Sequence, residues 1–170
     1  MLTENQNKYL AKLSSERASK AIIIKPYDSI LADIAEKVII KIKREIPDID
    51  VRFMGASALK ISGQNDIDIY IMCKNDELKE IYLSKLKLIF GEQIKNKWHW
   101  YENEIEISVY LSNPENQNMK EQLEIFDILN TSPELLKEYE LLKSSLNGKP
   151  YNEYQTAKYK FYNRVLGVGL

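Results

Sequence analysis

The chain contains few of the residues that would place it in a specialised class of protein. It has one cysteine and one histidine among 170 residues. One cysteine excludes an internal disulfide and fits a reducing compartment, and one histidine cannot build a zinc site. No apolar run is long enough to span a bilayer, and Met1–Asn7 has neither the basic nor the apolar region of a signal peptide. We therefore expect a cytoplasmic protein without a membrane partner.

Neither sign of charge dominates the sequence. The chain has 24 lysines and arginines against 25 aspartates and glutamates, which gives a formal net charge of −1. This balance predicts no broad cationic surface, so extended nucleic-acid binding is not expected. The hydrophobic content of 44% is ordinary for a globular protein.

The order of helical and strand patterns predicts an α+β fold, with a mixed sheet backed by helices and a C-terminal helical bundle. Helices are predicted over about residues 3–19, 29–46, 77–90, 119–130, 133–146 and 151–166, and strands over about 21–24, 51–54, 66–73, 98–101 and 105–111. We divide the chain into an N-terminal helical extension (1–20), an α/β core (21–115) and a C-terminal helical subdomain (116–170).

Two carboxylates alternate with isoleucines in the segment Asp66-Ile-Asp68-Ile. Successive side chains of a strand point to opposite faces, so Asp66 and Asp68 share one face. Neighbouring like charges repel, and a cation between them removes the repulsion. The pattern predicts a site for Mg²⁺, or Mn²⁺ in its place. The plainer alternative is a solvated strand end after a turn, where aspartate is common.

A later strand supplies a third carboxylate. Glu106 lies between Ile105 and Ile107 and is the first choice, whereas Glu104 on the same face is the alternative. The third acid would serve as a metal ligand or as the base for an attacking hydroxyl. An exposed position on an edge strand explains Glu106 equally well. The single histidine, His99, stands between two tryptophans, and we expect it to have a packing or surface role.

The small-residue turn Gly55-Ala-Ser-Ala precedes the aspartates. Backbone N–H groups of such a turn can bind phosphate oxygens, and the Ser57 hydroxyl is the side chain predicted to contact phosphate. Ser57 could instead cap a helix. Phosphate also needs cationic neighbours, and Lys60 on the following loop is one candidate.

The turn and the Asp66-Ile-Asp68 pair resemble the signature of the polymerase-beta-type nucleotidyltransferase superfamily. A second resemblance covers about residues 22–166 and depends on the order of five motifs. They are Lys25-Pro-Tyr-Asp28, the Gly55 turn, Ile125-Phe-Asp-Ile-Leu129, Ser132-Pro-Glu-Leu-Leu-Lys-Glu-Tyr139 with Leu142-Lys143, and Tyr154-Gln-Thr-Ala-Lys158. These motifs resemble the GrpB family, which implies a nucleotidyltransferase fold without a settled reaction.

The resemblances imply transfer of a nucleoside monophosphate from a nucleoside triphosphate, with ATP the expected donor, to an acceptor hydroxyl. They imply Asp66, Asp68 and Glu106 as metal ligands. Gly55, Ala56, Ser57, Lys60, Lys143 and Lys158 would bind the phosphates. Without the family match, the two C-terminal lysines would be ordinary solvated helix residues.

Ala56 departs from the superfamily, which usually has serine or glycine after the first glycine of the turn. This departure keeps two alternatives open: an inactive nucleotide-binding or regulatory module on the same fold, and a scaffold that binds no nucleotide. The acceptor is equally open, since a small alcohol, a protein side chain and an RNA end all carry a suitable hydroxyl. The base preference and the oligomeric state are not readable from the sequence.

Overall fold

The computed structural model describes residues 1–168. The helices are α1 (Glu4–Ala11), α2 (Ser15–Ser19), α3 (Ile30–Glu45), α4 (Gly55–Ala58), α5 (Asp76–Phe90), α6 (Gln117–Thr131), α7 (Pro133–Ser145) and α8 (Tyr151–Leu166). The strands are β1 (Asp50–Met54), β2 (Asp66–Met72), β3 (Lys97–Glu102) and β4 (Ile105–Ser112).

The four strands form one mixed sheet in the order β1-β2-β4-β3. β2 runs parallel to β4, whereas β1 and β3 run antiparallel to their neighbours. The predicted α+β fold with a mixed sheet and C-terminal helices is confirmed. The strand predicted over 21–24 is wrong, because the structure has there only an isolated bridge from Ala21 to Pro150.

One face of the sheet is the main apolar core. Its central side chains are fully buried: Ile67, Ile69 and Ile71 of β2, with Ile107 and Val109 of β4. The apolar positions of α3 that recur at helical spacing belong to the same cluster. Burying one such side chain contributes about 1.5–3 kcal/mol. The core therefore holds β2 and β4 with their polar residues on the opposite face.

Local sequence signals explain the ends of several helices. Asn75 is the N-cap of α5, and its side chain accepts a hydrogen bond from the Leu78 N–H at 2.8 Å. Ser132 caps α7, with Pro133 in the first turn. At the start of α3 the N-cap residue is Ser29, and the side chain of Asp28 accepts a hydrogen bond from the Ile30 N–H at 3.0 Å.

The chain forms two compact units. The sheet unit contains Tyr27–Ile61 and Asn65–Gln122, and the helical unit contains Met1–Pro26, Ser62–Gln64 and the C-terminal residues from Leu123. This division differs from the three segments expected from the sequence, since the N-terminal helices group with the C-terminal ones. Within residues 1–168, no helix has the length and hydropathy needed to cross a membrane.

Candidate functional site

Asp66 and Asp68 project from the polar face of β2, as their alternation with fully buried isoleucines requires. The Gly55 turn lies next to this pair. Gly55 has a φ of +84°, and a Cβ atom at this position would be 3.6 Å from Asp68 Oδ2. A positive φ favours glycine. Gly55 therefore lets the backbone turn sharply beside the Asp68 carboxylate.

Ser57 connects the turn to β2. Its side chain is buried, with 3% of the residue exposed, and its hydroxyl donates a hydrogen bond to the backbone carbonyl of Asp66. The hydroxyl that the sequence predicts as a phosphate contact is therefore used inside the protein. Any phosphate contact of this turn would come from backbone N–H groups, since the first N–H groups of a helical turn lack acceptors within it.

Glu106 lies beside Asp66, because the parallel β2–β4 register pairs these two residues directly. Glu106 therefore lies on the face of the sheet that carries the aspartates. Glu104 is different. It follows Asn103 in the two-residue loop between β3 and β4, and both loop residues have positive φ. Glu104 therefore lies outside β4, which removes it as the alternative strand acid.

The Glu106 carboxylate contacts three side chains of β3. His99 Nε2 lies 3.0 Å from Glu106 Oε1, and Lys97 Nζ lies 3.7 Å from the same oxygen. The Tyr101 hydroxyl donates to Oε2 at 3.4 Å. The negative charge of Glu106 is the main reason that the pKa of Tyr101 is raised. The histidine that was expected to pack or lie on the surface is thus a direct neighbour of the third acid.

A chain of hydrogen bonds, which we call the Lys97 relay, runs from Lys97 to Asp68. Lys97 Nζ donates to Ser108 Oγ at 2.9 Å. The Ser108 hydroxyl in turn donates to Tyr110, whose own hydroxyl donates to Asp68. Burial, followed by the charge of Asp68, raises the pKa of Tyr110. Lys97 therefore connects with both Glu106 and Asp68.

The three predicted metal ligands do not converge on one point. Within residues 1–168 there is no group of three or more histidine, cysteine, aspartate or glutamate side chains that could hold a metal ion. Asp66 and Asp68 alone still fit Mg²⁺, which proteins commonly bind with one or two carboxylates plus substrate phosphates. The aspartate pair therefore fits one Mg²⁺ shared with a nucleotide.

The predicted phosphate-binding lysines lie in different parts of the fold. Lys60 is an exposed residue of the sheet unit, directly after the Gly55 turn region. Lys143 and Lys158 belong to the helical unit, where Lys143 is only 4% exposed. The simple view of Lys143 as a solvated helix residue is therefore wrong.

A pair of tyrosines brings Lys143 and Lys158 into one cluster of the helical unit. The hydroxyls of Tyr139 and Tyr162 are 2.9 Å apart. Lys143 Nζ lies 5.4 Å from the centroid of the Tyr139 ring, and Lys158 Nζ lies 5.5 Å from that of Tyr162. Ammonium groups over aromatic faces are favourable cation–π contacts. Burial holds the pKa of Tyr139 well above its usual value.

Sequence reasoning missed Lys97, Ser108 and Tyr110. A signal for them was present, because Ser108 and Tyr110 follow Glu106 at the two-residue spacing of one strand face. Lys97 could be identified only from the pairing of β3 with β4 in the hairpin. The loop Asn103-Glu104 sets this register, which pairs Tyr101 with Glu106 and Lys97 with Tyr110.

Comparison with known proteins identifies one family. The model of the family described as GrpB protein matches residues 21–167. The structure of conserved protein GrpB from Enterococcus faecalis is similar at a TM-score of 0.60 and 14% identity, over 85% of this chain and 98% of that one. At this identity the similarity establishes the fold alone.

A weaker similarity is to Cid1, described as having RNA terminal uridylyl transferase activity. Its TM-score is 0.44 and its identity 12%, over 78% of this chain and 44% of that chain. A further Cid1 structure, in complex with the UTP analogue UMPNPP, has a TM-score of 0.42 at 13% identity, with 78% and 41% of the two chains covered. Similarity at this level carries no argument about activity. Among curated proteins, none matches.

Proposed function

Because this chain belongs to the GrpB family, we propose that it is a Mg²⁺-dependent nucleotidyltransferase that moves a nucleoside monophosphate from a nucleoside triphosphate to an acceptor hydroxyl. The observation that carries the proposal is the aspartate pair: Asp66 and Asp68 share the polar face of β2, and the Gly55 turn lies beside Asp68. Two carboxylates next to a turn of small residues form a suitable donor set for a metal–triphosphate complex.

In this proposal each acidic residue has a separate role. Asp66 and Asp68 hold Mg²⁺, which supplies charge neutralisation for the triphosphate. Glu106 accepts the proton of the acceptor hydroxyl as its oxygen attacks the α-phosphorus. The bond from the α-phosphorus to the bridging oxygen breaks, and pyrophosphate leaves with those electrons. The direct register of Asp66 and Glu106 across β2 and β4 supports this assignment.

Lys143 and Lys158 are proposed to bind phosphate oxygens, with Lys60 as a further cationic residue. Their clustering around Tyr139 and Tyr162 supports a shared role for the first two. Triphosphate carries more negative charge than one divalent cation neutralises, so lysine contacts are expected. ATP is the expected donor. The acceptor is proposed only as a hydroxyl compound: a small alcohol, a protein side chain or an RNA end.

A second candidate function is a nucleotide-binding module without turnover. Two observations favour it: Ala56 replaces a residue type that binds phosphate, and the Glu106 carboxylate is already engaged by His99 and Lys97. In this case the aspartates would still bind a Mg²⁺–nucleotide complex. Binding and turnover therefore have to be measured separately.

The test compares wild type with the double variant Asp66→Asn plus Asp68→Asn. Isothermal titration with Mg²⁺ and a non-hydrolysable ATP analogue measures binding, and pyrophosphate release with ATP and a panel of acceptors measures turnover. We expect the double variant to lose Mg²⁺-dependent binding by more than about tenfold, because no carboxylate pair remains for the cation. Asp48→Asn, at an exposed residue of the sheet unit, is the matched control.

The outcomes separate the two candidates. Binding that depends on the aspartates together with pyrophosphate release supports the transferase. Binding without release on any acceptor supports the module. If the double variant binds the Mg²⁺–nucleotide complex as well as wild type does, the aspartate site is wrong for both.

A further inference from the structure

We propose that the ammonium group of Lys97 acts as a permanent counter-cation for the carboxylates of the candidate site. Lys97 takes the place that a second divalent cation would occupy, so the site holds one metal ion. This inference rests on the proposed function, since it concerns the same carboxylates. It adds a residue that the sequence did not single out. It also assigns Glu106 a role without metal ligation.

The contacts of Lys97 carry the proposal. Its ammonium group lies 3.7 Å from Glu106 Oε1 and donates to Ser108 Oγ at 2.9 Å. It also lies 5.4 Å from the centroid of the Tyr110 ring. Only 28% of the Lys97 side chain is exposed, against 40% for Glu106. A partly buried ion pair is screened less by salt than a surface pair.

The hydrogen bonds of the Lys97 relay all point the same way, from Lys97 toward Asp68. The relay begins at a cation, and each of its two hydroxyls accepts one hydrogen bond and donates the next, ending at the carboxylate of Asp68. Hydrogen bonds aligned in this way polarise one another. Lys97 thus acts on Asp68 through Ser108 and Tyr110, and on Glu106 directly.

Charge balance then favours a single metal ion. Asp66, Asp68 and Glu106 carry three negative charges, and Lys97 together with one divalent cation balances them. A second divalent cation at Glu106 would have to displace Lys97 and the neighbouring His99, whose Nε2 lies 3.0 Å from the carboxylate. The missing three-ligand group within residues 1–168 agrees with this reading. Lys97 is therefore a positioning residue for the two acids.

The test counts Mn²⁺ ions by electron paramagnetic resonance, which reports free Mn²⁺ during titration of the intact chain without nucleotide. The variants are Asp68→Asn, Glu106→Gln, Lys97→Met, and Lys97→Met combined with Glu106→Gln. Lys79→Met, at an exposed residue of α5, is the control for loss of one positive charge.

We expect Glu106→Gln to weaken Mn²⁺ binding by no more than about tenfold, because a nearby negative charge is removed but no ligand is lost. Asp68→Asn should lose binding. Lys97→Met should bind Mn²⁺ about tenfold more tightly or bind a second ion, because a nearby positive charge is removed. Adding Glu106→Gln to Lys97→Met should cancel this gain. Lys79→Met should behave as wild type.

Two results would overturn the inference. The first is loss of Mn²⁺ binding in Glu106→Gln as complete as in Asp68→Asn, which would make Glu106 a ligand of the native site. The second is a wild-type chain that binds two ions. Since Glu106→Gln is nearly isosteric, this arm decides the matter even if Lys97→Met does not fold. Either result leaves the proposed transferase intact, whereas Mn²⁺ binding unaffected by Asp68→Asn would count against the function itself.

Discussion

Single side chains decide how the candidate site is supported. Ser57 has the residue type of a phosphate contact and lies in the turn where such a contact is expected. It is buried, and its hydroxyl bonds the Asp66 backbone carbonyl. An unsatisfied buried carbonyl costs free energy. Ser57 therefore helps to hold the backbone of Asp66, the first residue of β2, in place.

We predict that Ser57→Ala lowers the free energy of unfolding by about 0.5–1.5 kcal/mol, because it removes the hydrogen bond that the Ser57 hydroxyl donates to the Asp66 carbonyl. Mg²⁺-dependent nucleotide binding should persist, weakened by less than about threefold, since no phosphate contact is removed. Urea denaturation and isothermal titration measure the two quantities.

The matched control is Ser145→Ala, an exposed residue near the end of α7, which should change stability by less than about 0.5 kcal/mol. If Ser57→Ala kept full stability but no longer bound nucleotide, the Ser57 hydroxyl would be a phosphate contact after all, and the prediction would be wrong.

At the scale of elements, α1 is attached to α8 by polar contacts. Gln6 and Asn163 exchange side-chain amide hydrogen bonds, both at 2.8 Å. The hydroxyls of Tyr9 and Tyr151 are also 2.8 Å apart. The helix itself has no fully buried residue. These contacts explain why α1 groups with the C-terminal helices.

The Tyr9–Tyr151 contact predicts a dependence of stability on alkaline pH. Burial, together with the hydrogen bond to Tyr9, raises the pKa of Tyr151 to about 12. The unfolded chain loses this proton near pH 10, at the usual value for tyrosine. Stability from this group is therefore complete below about pH 10 and is lost as the pH rises toward about 12.

The measurement is urea denaturation of wild type and Tyr151→Phe at pH 9 and pH 11, followed by circular dichroism. Between these values wild type should lose about 1 kcal/mol more than Tyr151→Phe. The tyrosines outside this pair are common to both proteins, so the difference reports the Tyr9–Tyr151 contact. Parallel losses in the two proteins would contradict the prediction.

For the molecule as a whole, each of the two units has its own buried residues. The sheet unit has fully buried side chains along both β2 and β4, the central strands. In the helical unit, Ile22, Leu146 and Tyr154 form a buried cluster. The fully buried residues of β2 and β4 therefore lie directly behind the polar face of the candidate site.

We predict that hydrogen exchange is slowest at the amides of β2 and β4 and fastest, among the regular elements, in the short helices α1 and α2, which have no buried residue. Amides within a buried ladder exchange only through large openings, whereas a short helix without buried residues opens locally. Protection in β2 should exceed that in α1 by at least about a hundredfold. Mass spectrometry of exchanged peptides provides the comparison. Equal protection of both elements would show that α1 unfolds only with the rest of the chain.

Much of the fold was predictable from the sequence, since periodicity marks elements well. The pattern over 29–46 and the alternation over 66–73 correspond closely to α3 and β2. The predicted strand at Ala21-Ile-Ile-Ile24 is wrong because an apolar, β-prone run becomes a strand only where a partner strand pairs with it through hydrogen bonds. The alternative of Lys143 as a solvated helix residue failed because tertiary packing buries this side chain, which a single sequence does not reveal.

The sequence alone determined that Asp66 and Asp68 share a face, because alternation along one strand is a local property of the backbone. It also placed the Gly55 turn before them. Only the tertiary structure decided which residues surround these carboxylates. The parallel register aligned Asp66 with Glu106, and the hairpin loop brought Lys97 and His99 to the same acid. Such pairings join residues far apart in the chain, so they depend on the packing of the whole sheet unit.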